Sequence, residues 1–172
     1  MLLTILTALL VASSGLAANT PITTIILVRH AEKAGETGDV PLSPAGADRA
    51  KELVRVLAGT SIAAIYVTPY LRTEQTAEPL ATAHHVDPVI AKNMDTYARD
   101  VVSAILRDHK GETVVVVGHS NTTPQVIRAL GVPNPPDIAD SEYDNLFIVS
   151  LGDGSTPKLV KLKYGAVSSP AP

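Results

Sequence analysis

Two apolar runs that each lead to basic side chains constrain this chain more than any other feature. The run IILV at 25–28 leads directly into Arg29 and His30, and the run VVVV at 114–117 is followed after one glycine by His119. Near-continuous aliphatic runs are typical of parallel strands that are covered on both faces. The sequence therefore predicts a buried sheet that carries basic groups at the ends of two of its strands.

Strand and helix signals alternate along the rest of the chain. Strands are predicted at 24–29, 63–67, 87–91, 114–118 and 146–151, with an edge strand at 159–164. Between them, helices are predicted from Ser43-Pro44 to Gly59, from Thr68-Pro69 to about Ala83, around Val101–Leu106, and from Thr123-Pro124 to Gly131. This alternation predicts a three-layer α/β/α sandwich with a mostly parallel central sheet, formed by one domain over 20–165.

Composition excludes several classes of function. The 172 residues include no cysteine, so disulfides, zinc thiolates and cysteine nucleophiles are ruled out. The formal net charge is −3 and no Lys/Arg-rich run occurs, so we expect no nucleic-acid partner. A local anion site remains compatible with this composition.

The first 18 residues resemble a signal peptide. An uncharged apolar core runs from Leu2 to about Ala12 and passes into small residues, which suits cleavage near Ala18 and a mature chain that starts around Asn19. The core is short for a membrane span, although an uncleaved anchor or a buried first helix is the alternative. We therefore expect a periplasmic or secreted protein without stable membrane insertion after signal removal, and a disordered tail over 166–172.

The strand ends predict an anion site. Ligands of open α/β sheets bind at the carboxyl ends of the strands, where Arg29, His30 and His119 are expected. Arg72 falls in the first turn of the helix after the second strand, where the helix dipole favours an anion. Two guanidiniums and two imidazoles suit a phosphoryl group, because arginine forks match its oxygens and a neutral imidazole can attack phosphorus.

Four segments that carry these residues resemble a known family. LVRHAEK, PLSPAGADRA, YVTPYLRTEQTAEPLA and VVVVGHSNTTP are similar, in the same order, to the motifs of the histidine phosphatase superfamily, branch 1, which has a phosphoglycerate-mutase-like fold. The resemblance spans about residues 22–164. The RHAEK variant, the GHSNT motif and the absence of a long inserted cap are similar to the small phosphatase-type members.

The resemblance implies a role for each basic residue. His30 would be the nucleophile and become a phosphohistidine, Arg29 and Arg72 would clamp the phosphate, and His119 would complete the pocket and stabilise the transition state. No metal or other cofactor is implied. The family's proton donor has no clear counterpart, and Asp95 and Glu32 are the two candidates for it. The implied function is that of a histidine acid phosphatase-type hydrolase acting on a small phosphorylated substrate, with a phosphoprotein also open.

Other interpretations remain open. The chain could be a catalytically weak phosphate-binding or scaffold protein of the same fold, or a phosphoglycerate-type mutase. GHSNT resembles a nucleophile elbow with Ser120 as nucleophile, but no histidine follows it as an esterase triad requires. A metal site of His30, Glu32 and His119 would not explain two nearby arginines. The sequence does not predict the physiological substrate or the oligomeric state.

Overall fold

Strands and helices alternate along the chain as predicted. The structure, a computed structural model, describes residues 21–168, so the predicted signal peptide lies outside the described residues. The elements are β1 (Thr23–Arg29), α1 (Pro44–Leu57), β2 (Ala64–Val67), α2 (Leu71–His84), β3 (Val89–Ile90), α3 (Tyr97–Asp108), β4 (Thr113–Gly118), α4 (Thr122–Ala129), β5 (Asn145–Leu151) and β6 (Lys158–Lys163). Over residues 21–168 no helix has the length and apolar character needed to cross a membrane.

The six strands form one mixed sheet in the order β3-β2-β4-β1-β5-β6. β4 pairs in parallel with β1 and with β2, and β3 pairs in parallel with β2. β5 and β6 are antiparallel additions on the other side of β1. The mostly parallel sheet that the alternation predicted is thus confirmed.

Helices cover both faces of this sheet. Successive strand residues point to opposite faces, so Leu27 packs with Val102, Ile105 and Ile127 of α3 and α4. Its neighbour Val28 belongs to the second core, which includes residues from α1 and α2. This confirms the three-layer α/β/α sandwich and explains why β1 and β4 are apolar on both faces.

Several element boundaries differ from prediction by a residue or more, and two of the differences have a local reason. α2 starts at Leu71 rather than near Thr68, and the carboxylate of Asp39 accepts the Leu71 N–H at 2.9 Å in place of a cap from Tyr70. β3 is limited to Val89–Ile90 rather than 87–91. Pro88 precedes it and has no N–H to donate to a ladder.

The first three residues of the predicted tail, 166–168, include two that make hydrogen bonds to the rest of the chain. The Ala166 carbonyl accepts an N–H from Arg49 at 2.9 Å. The Ser168 hydroxyl accepts the backbone N–H groups of Tyr143 and Asp144 at 2.8 and 3.0 Å. These bonds connect residues 166–168 to α1 and to the segment just before β5. The sequence does not indicate them, because the partners lie far apart along the chain. The remainder of the predicted tail, 169–172, lies outside the described residues.

Candidate active site

The pairing of β1 with β4 brings the two site histidines together. Arg29 lies opposite Gly118 in the parallel register, and the His30 N–H donates to the Gly118 carbonyl at 2.8 Å. The next residues along each chain segment, His30 and His119, therefore lie side by side with ring centroids 5.2 Å apart. β2 flanks β4 on its other edge, so the segment that leads into α2 reaches the same point.

A cavity of about 300 Å³ opens at these strand ends. Arg29, His30, Arg72 and His119 all line it, so the structure brings together the four basic residues that the sequence placed at one site. A larger cavity of about 800 Å³ lies elsewhere, against residues such as Arg55 and Lys163, and none of the four contributes to its lining. The chemistry therefore points to the smaller cavity.

The segment after His30 is fixed by close contact with α1. The Glu32 carbonyl accepts the Ser43 N–H at 2.8 Å, and the Ser43 hydroxyl accepts the Gly46 N–H at 3.1 Å as the helix cap. A Cβ on Gly46 would lie 2.2 Å from the Glu32 carbonyl oxygen. Only glycine allows this approach, so residue 46 sets the path of the chain that leaves the site.

Arg29 is buried, and within residues 21–168 its guanidinium makes its hydrogen bonds through Nη1. Its Nη1 donates to the carbonyls of Ala139, Asp140 and Glu142 at 2.9, 2.8 and 3.3 Å. Its Nε has no hydrogen-bond partner among residues 21–168, and its Nη2 lies 3.6 Å from the exposed carboxylate of Asp140. The Nε–Nη2 edge is the one that binds an oxyanion through two parallel hydrogen bonds.

His30 is held as a neutral ring with a defined tautomer. Its Nδ1 lies 2.8 Å from the Ala31 carbonyl oxygen, which can only accept, so Nδ1 carries the proton and Nε2 keeps its lone pair. Burial, and secondarily Arg29 and Arg72, lower the pKa of His30 to about 4. At neutral pH the ring is therefore uncharged and keeps a free lone pair on Nε2.

Arg72 projects from the first turn of α2 into the cavity. Its guanidinium lies over the Tyr70 ring at 4.5 Å, and its Nη1 is 3.7 Å from the Asp39 carboxylate. The Asp39 carboxylate also accepts the Leu71 N–H. One side chain thus caps the helix and lies within ion-pair distance of the arginine.

His119 is also neutral and firmly anchored. Its Nε2 lies 2.9 Å from the hydroxyl of Thr68, and its backbone N–H donates to the Thr122 hydroxyl at 2.8 Å. Burial, followed by the nearby His30, Arg72 and Arg29, lowers the pKa of His119 to about 3. When no anion is bound, the His119 ring is therefore uncharged and held in a fixed position in the lining of the cavity.

The two predicted acids do not line the cavity. Both carboxylate oxygens of Glu32 accept N–H groups from Arg49, the shortest at 2.6 Å, so Glu32 forms a partly buried ion pair with Arg49 instead. Asp95 is exposed, and its backbone N–H donates to the Asn93 side chain at 2.9 Å. The carboxylates that do line the cavity are those of Glu36 and Asp140, which the sequence analysis did not consider.

Two tyrosines complete the site and were not predicted. Tyr143 lies under the Arg29 guanidinium at 4.3 Å and 5.9 Å from the His30 ring. Tyr70 stands in the same relation to Arg72 and lies 5.2 Å from the His119 ring. Each arginine–histidine pair therefore has one aromatic neighbour. Tyr70 lies between two motif residues and could have been proposed from the sequence, whereas Tyr143 arrives through a long loop.

The family comparison agrees with this geometry. Residues 25–96 match the model of the histidine phosphatase superfamily (branch 1). This segment, which is less than half of the chain, is similar to that superfamily. The matched range contains Arg29, His30 and Arg72. His119 lies outside this range, and the pairing of β1 with β4 places it beside His30. This similarity supports a hydrolase of the phosphatase class in general terms. Comparison with curated proteins gives no significant match.

Solved structures share the fold at low sequence identity. The protein histidine phosphatase SixA in complex with tungstate superimposes with a TM-score of 0.66 at 18% identity, over 81% of this chain and 96% of that chain. Phosphoserine phosphatase from Entamoeba histolytica gives 0.63 at 15% identity, over 84% and 98%. A putative phosphohistidine phosphatase SixA from Agrobacterium tumefaciens gives 0.58 at 19%, over 83% and 97%. At these identities the likeness concerns the fold.

The neutral histidines predict that stability falls in mild acid. His30 and His119 have pKa values of about 4 and about 3 when folded, against about 6.5 in the unfolded chain. Between pH 6.5 and 4 the unfolded state therefore binds more protons, and the free energy of unfolding decreases as pH falls. Urea titrations at pH 7 and pH 5 should show a decrease of roughly 1–2 kcal/mol for each histidine.

The His30→Gln and His119→Gln variants provide the control. Each should lose its own share of the decrease between pH 7 and pH 5, whatever its stability at pH 7. A pH dependence identical to that of the wild type in both variants would show that the rings are not buried in neutral form.

Proposed function

We propose that the chain is an exported phosphatase that hydrolyses a phosphomonoester or phosphoramidate through a phosphohistidine on His30. The observation that carries the proposal is that the Arg29 Nε–H has no acceptor among residues 21–168, on a guanidinium that lines the same cavity as His30. A buried N–H without an acceptor is costly, and within residues 21–168 the Arg29 Nε has none. A phosphoryl oxygen would satisfy it while His30 approaches the phosphorus.

The proposed reaction has two displacements at phosphorus. The Nε2 lone pair of His30 attacks, a P–N bond forms, and the bond from phosphorus to the leaving group breaks. Water then attacks the phosphohistidine, the P–N bond breaks, and its electron pair returns to Nε2 as inorganic phosphate forms. The Nδ1–H bond to Ala31 stays in place throughout, so the ring keeps its orientation.

In this proposal the neighbouring basic groups stabilise charge on the transferred phosphoryl group. Arg29 and Arg72 supply fixed hydrogen-bond donors at low local dielectric, where such donors are most effective. His119 is neutral in the free cavity, and an incoming phosphoryl group would favour its protonation. The strand ends and the start of α2 would hold these three side chains in place before the substrate binds, so that little rearrangement is needed.

The position of carboxylates supports substrates with good leaving groups. Glu32 is occupied by Arg49 and Asp95 is exposed outside the cavity lining. Glu36 and Asp140 line the cavity but are themselves 90% and 92% exposed, with Lys33 and Ser120 as partners. Without a buried acid, protonation of an alkoxide would be inefficient. This supports aryl phosphates or phosphoramidates such as phosphohistidine over alkyl phosphates.

A small phosphorylated molecule or a phosphorylated side chain would suit the cavity size. The cavity of about 300 Å³ lies at the lower limit of typical ligand sites. The fold neighbour SixA is a protein histidine phosphatase, and a phosphohistidine side chain on a protein partner is the proposed substrate class for this chain. One observation supports the alternative, a phosphate-binding scaffold with weak turnover: neither of the two predicted acids, Asp95 and Glu32, lines the cavity.

Export is proposed on the sequence alone. The short apolar segment at 2–12 and the small residues after it support cleavage near Ala18 and a periplasmic or secreted location. N-terminal sequencing of protein from the native host should give a start near Asn19. A chain that still begins at Met1 would contradict the proposal.

The covalent step predicts distinct failures for His30 and Arg72. Rapid quenching with a labelled phosphoester should trap acid-labile, base-stable label on His30, and His30→Ala should reduce kcat to background while tungstate still binds. Arg72→Ala removes a charged donor that acts before and during the reaction. It should raise KM and lower kcat, a combined loss on the order of 2–5 kcal/mol.

His84→Gln is the matched control, because this histidine lies at the far end of α2 from Arg72. It should retain wild-type kinetics and labelling. Label on Ser120, or turnover without any labelled histidine, would rule out the proposed route.

The leaving group predicts a second kinetic pattern. Along a series from nitrophenyl to alkyl phosphates, kcat/KM should decrease steeply as the leaving group becomes more basic, and a phosphoramidate should be a good substrate. Asp95→Asn and Glu32→Gln should leave the ratio of aryl to alkyl rates unchanged. Asp140→Asn and Glu36→Gln test the carboxylates that line the cavity. A selective loss on alkyl phosphates in Asp95→Asn would show that this acid reaches the leaving group.

A further inference from the structure

A row of buried hydroxyl groups connects His119 to the first turn of α2. The Nε2 of His119 lies 2.9 Å from the Thr68 hydroxyl, which lies 2.9 Å from the Thr73 hydroxyl. The Thr73 hydroxyl in turn lies 2.8 Å from the Thr68 carbonyl oxygen and 2.7 Å from that of Tyr70. Thr68 and Thr73 are both 0% exposed, so bulk water does not compete for these bonds.

The two backbone carbonyls bonded to Thr73 determine which group donates and which accepts in every bond of this row. A carbonyl oxygen only accepts, so the single hydroxyl proton of Thr73 is directed to the two backbone carbonyls. The Thr73 oxygen can then only accept from Thr68, which uses the single hydroxyl proton of Thr68. The Thr68 oxygen is left with lone pairs toward His119 and must accept from the ring.

We propose that Thr73 is a positioning residue that acts through Thr68 to fix His119 in the Nε2–H tautomer. Without the Thr73 hydroxyl, Thr68 could donate to Nε2 equally well and the ring could carry its proton on Nδ1. Thr73 therefore decides which nitrogen of a cavity-lining histidine is free. The residue lies beside Arg72 on α2, so one helical turn carries an anion-binding side chain and the group that orients the second histidine.

The tautomer determines how His119 meets a ligand. Because Nε2 is engaged by Thr68, any hydrogen bond between the ring and a ligand must use Nδ1, which is bare in the neutral ring. A phosphoryl oxygen that binds there needs a proton between the two atoms. The proton comes either with the phosphoryl group or with a second protonation of the ring. His119 is thus set to receive a proton when an anion binds, whereas the Nδ1–H tautomer would already be a donor.

Nitrogen NMR on the free protein tests the tautomer directly. Protonated and bare ring nitrogens resonate far apart, and long-range proton–nitrogen correlations on ¹⁵N-labelled protein at pH 7 identify both, with His119→Gln used for assignment. The wild type should show Nε2–H. Thr73→Val keeps the side-chain shape and should produce a substantial Nδ1–H population, whereas Thr73→Ser should restore the wild-type pattern.

Thr123→Val is the matched control. Thr123 is a buried threonine near His119 in sequence, and its hydroxyl has no partner among residues 21–168. This variant should keep the Nε2–H pattern. An Nδ1–H ring in the wild type, or an unchanged pattern in folded Thr73→Val, would overturn the proposal. If Thr73→Val does not fold, the wild-type spectrum still decides. Because the measurement needs no substrate, it is independent of the proposed phosphatase activity.

Discussion

The parallel pairing of β1 with β4 is the constraint on which the rest of the site depends. Both strands are apolar on both faces, so inward and outward polarity cannot fix their register. In the observed register, backbone bonds continue the ladder to both ends, where Thr24 donates to the Glu112 carbonyl and His30 donates to the Gly118 carbonyl at 2.9 and 2.8 Å. A slip of one residue would turn the side chains at the strand end to the opposite face. The positions of both histidines are thus a consequence of strand pairing rather than of loop conformation.

The second constraint is the cost of placing two arginines beside two histidines in a poorly hydrated pocket. Backbone carbonyls of the 139–142 segment hold one guanidinium, and Asp39 lies close to the other. Tyr143 and Tyr70 each present a ring face to one of these cations, an attractive arrangement that does not neutralise charge. The remaining positive potential is relieved by the histidines, which stay neutral because burial and the arginines oppose their protonation. The same potential would attract a phosphoryl dianion, so the feature that disfavours imidazolium in the free protein favours the proposed ligand.

Much of this arrangement could be predicted from the sequence because it follows from local pattern. Apolar runs, Ser43-Pro44 and the glycines after helices indicate the elements, and the rule for parallel sheets then places Arg29, His30, Arg72 and His119 at one edge. The partners of Glu32 could not be predicted, since Arg49 lies 17 positions away and is itself bonded to the backbone at Tyr164 and Ala166. The position of Tyr143 could not be predicted, because the long loop that carries it has no periodicity. Thr73 was not singled out, because its role depends on two backbone carbonyls that only the folded first turn of α2 brings together.

The cavity has two sides that differ in structure. One side is formed by buried residues of the regular elements, and the other by exposed residues of loops. The side of the cavity that we propose binds the phosphoryl group is formed by residues at strand ends and helix starts, with His30, His119 and Arg29 all at most 8% exposed. The opposite side is formed by loop residues such as Glu36 and Asp140, whose carboxylates are almost fully exposed. Rigid elements hold catalytic groups to the tolerance that in-line attack needs, while loops vary with little effect on the core. If the proposed function holds, the groups that act at phosphorus lie on the strand ends and helix starts of the core, and the groups that set leaving-group preference lie on exposed loops.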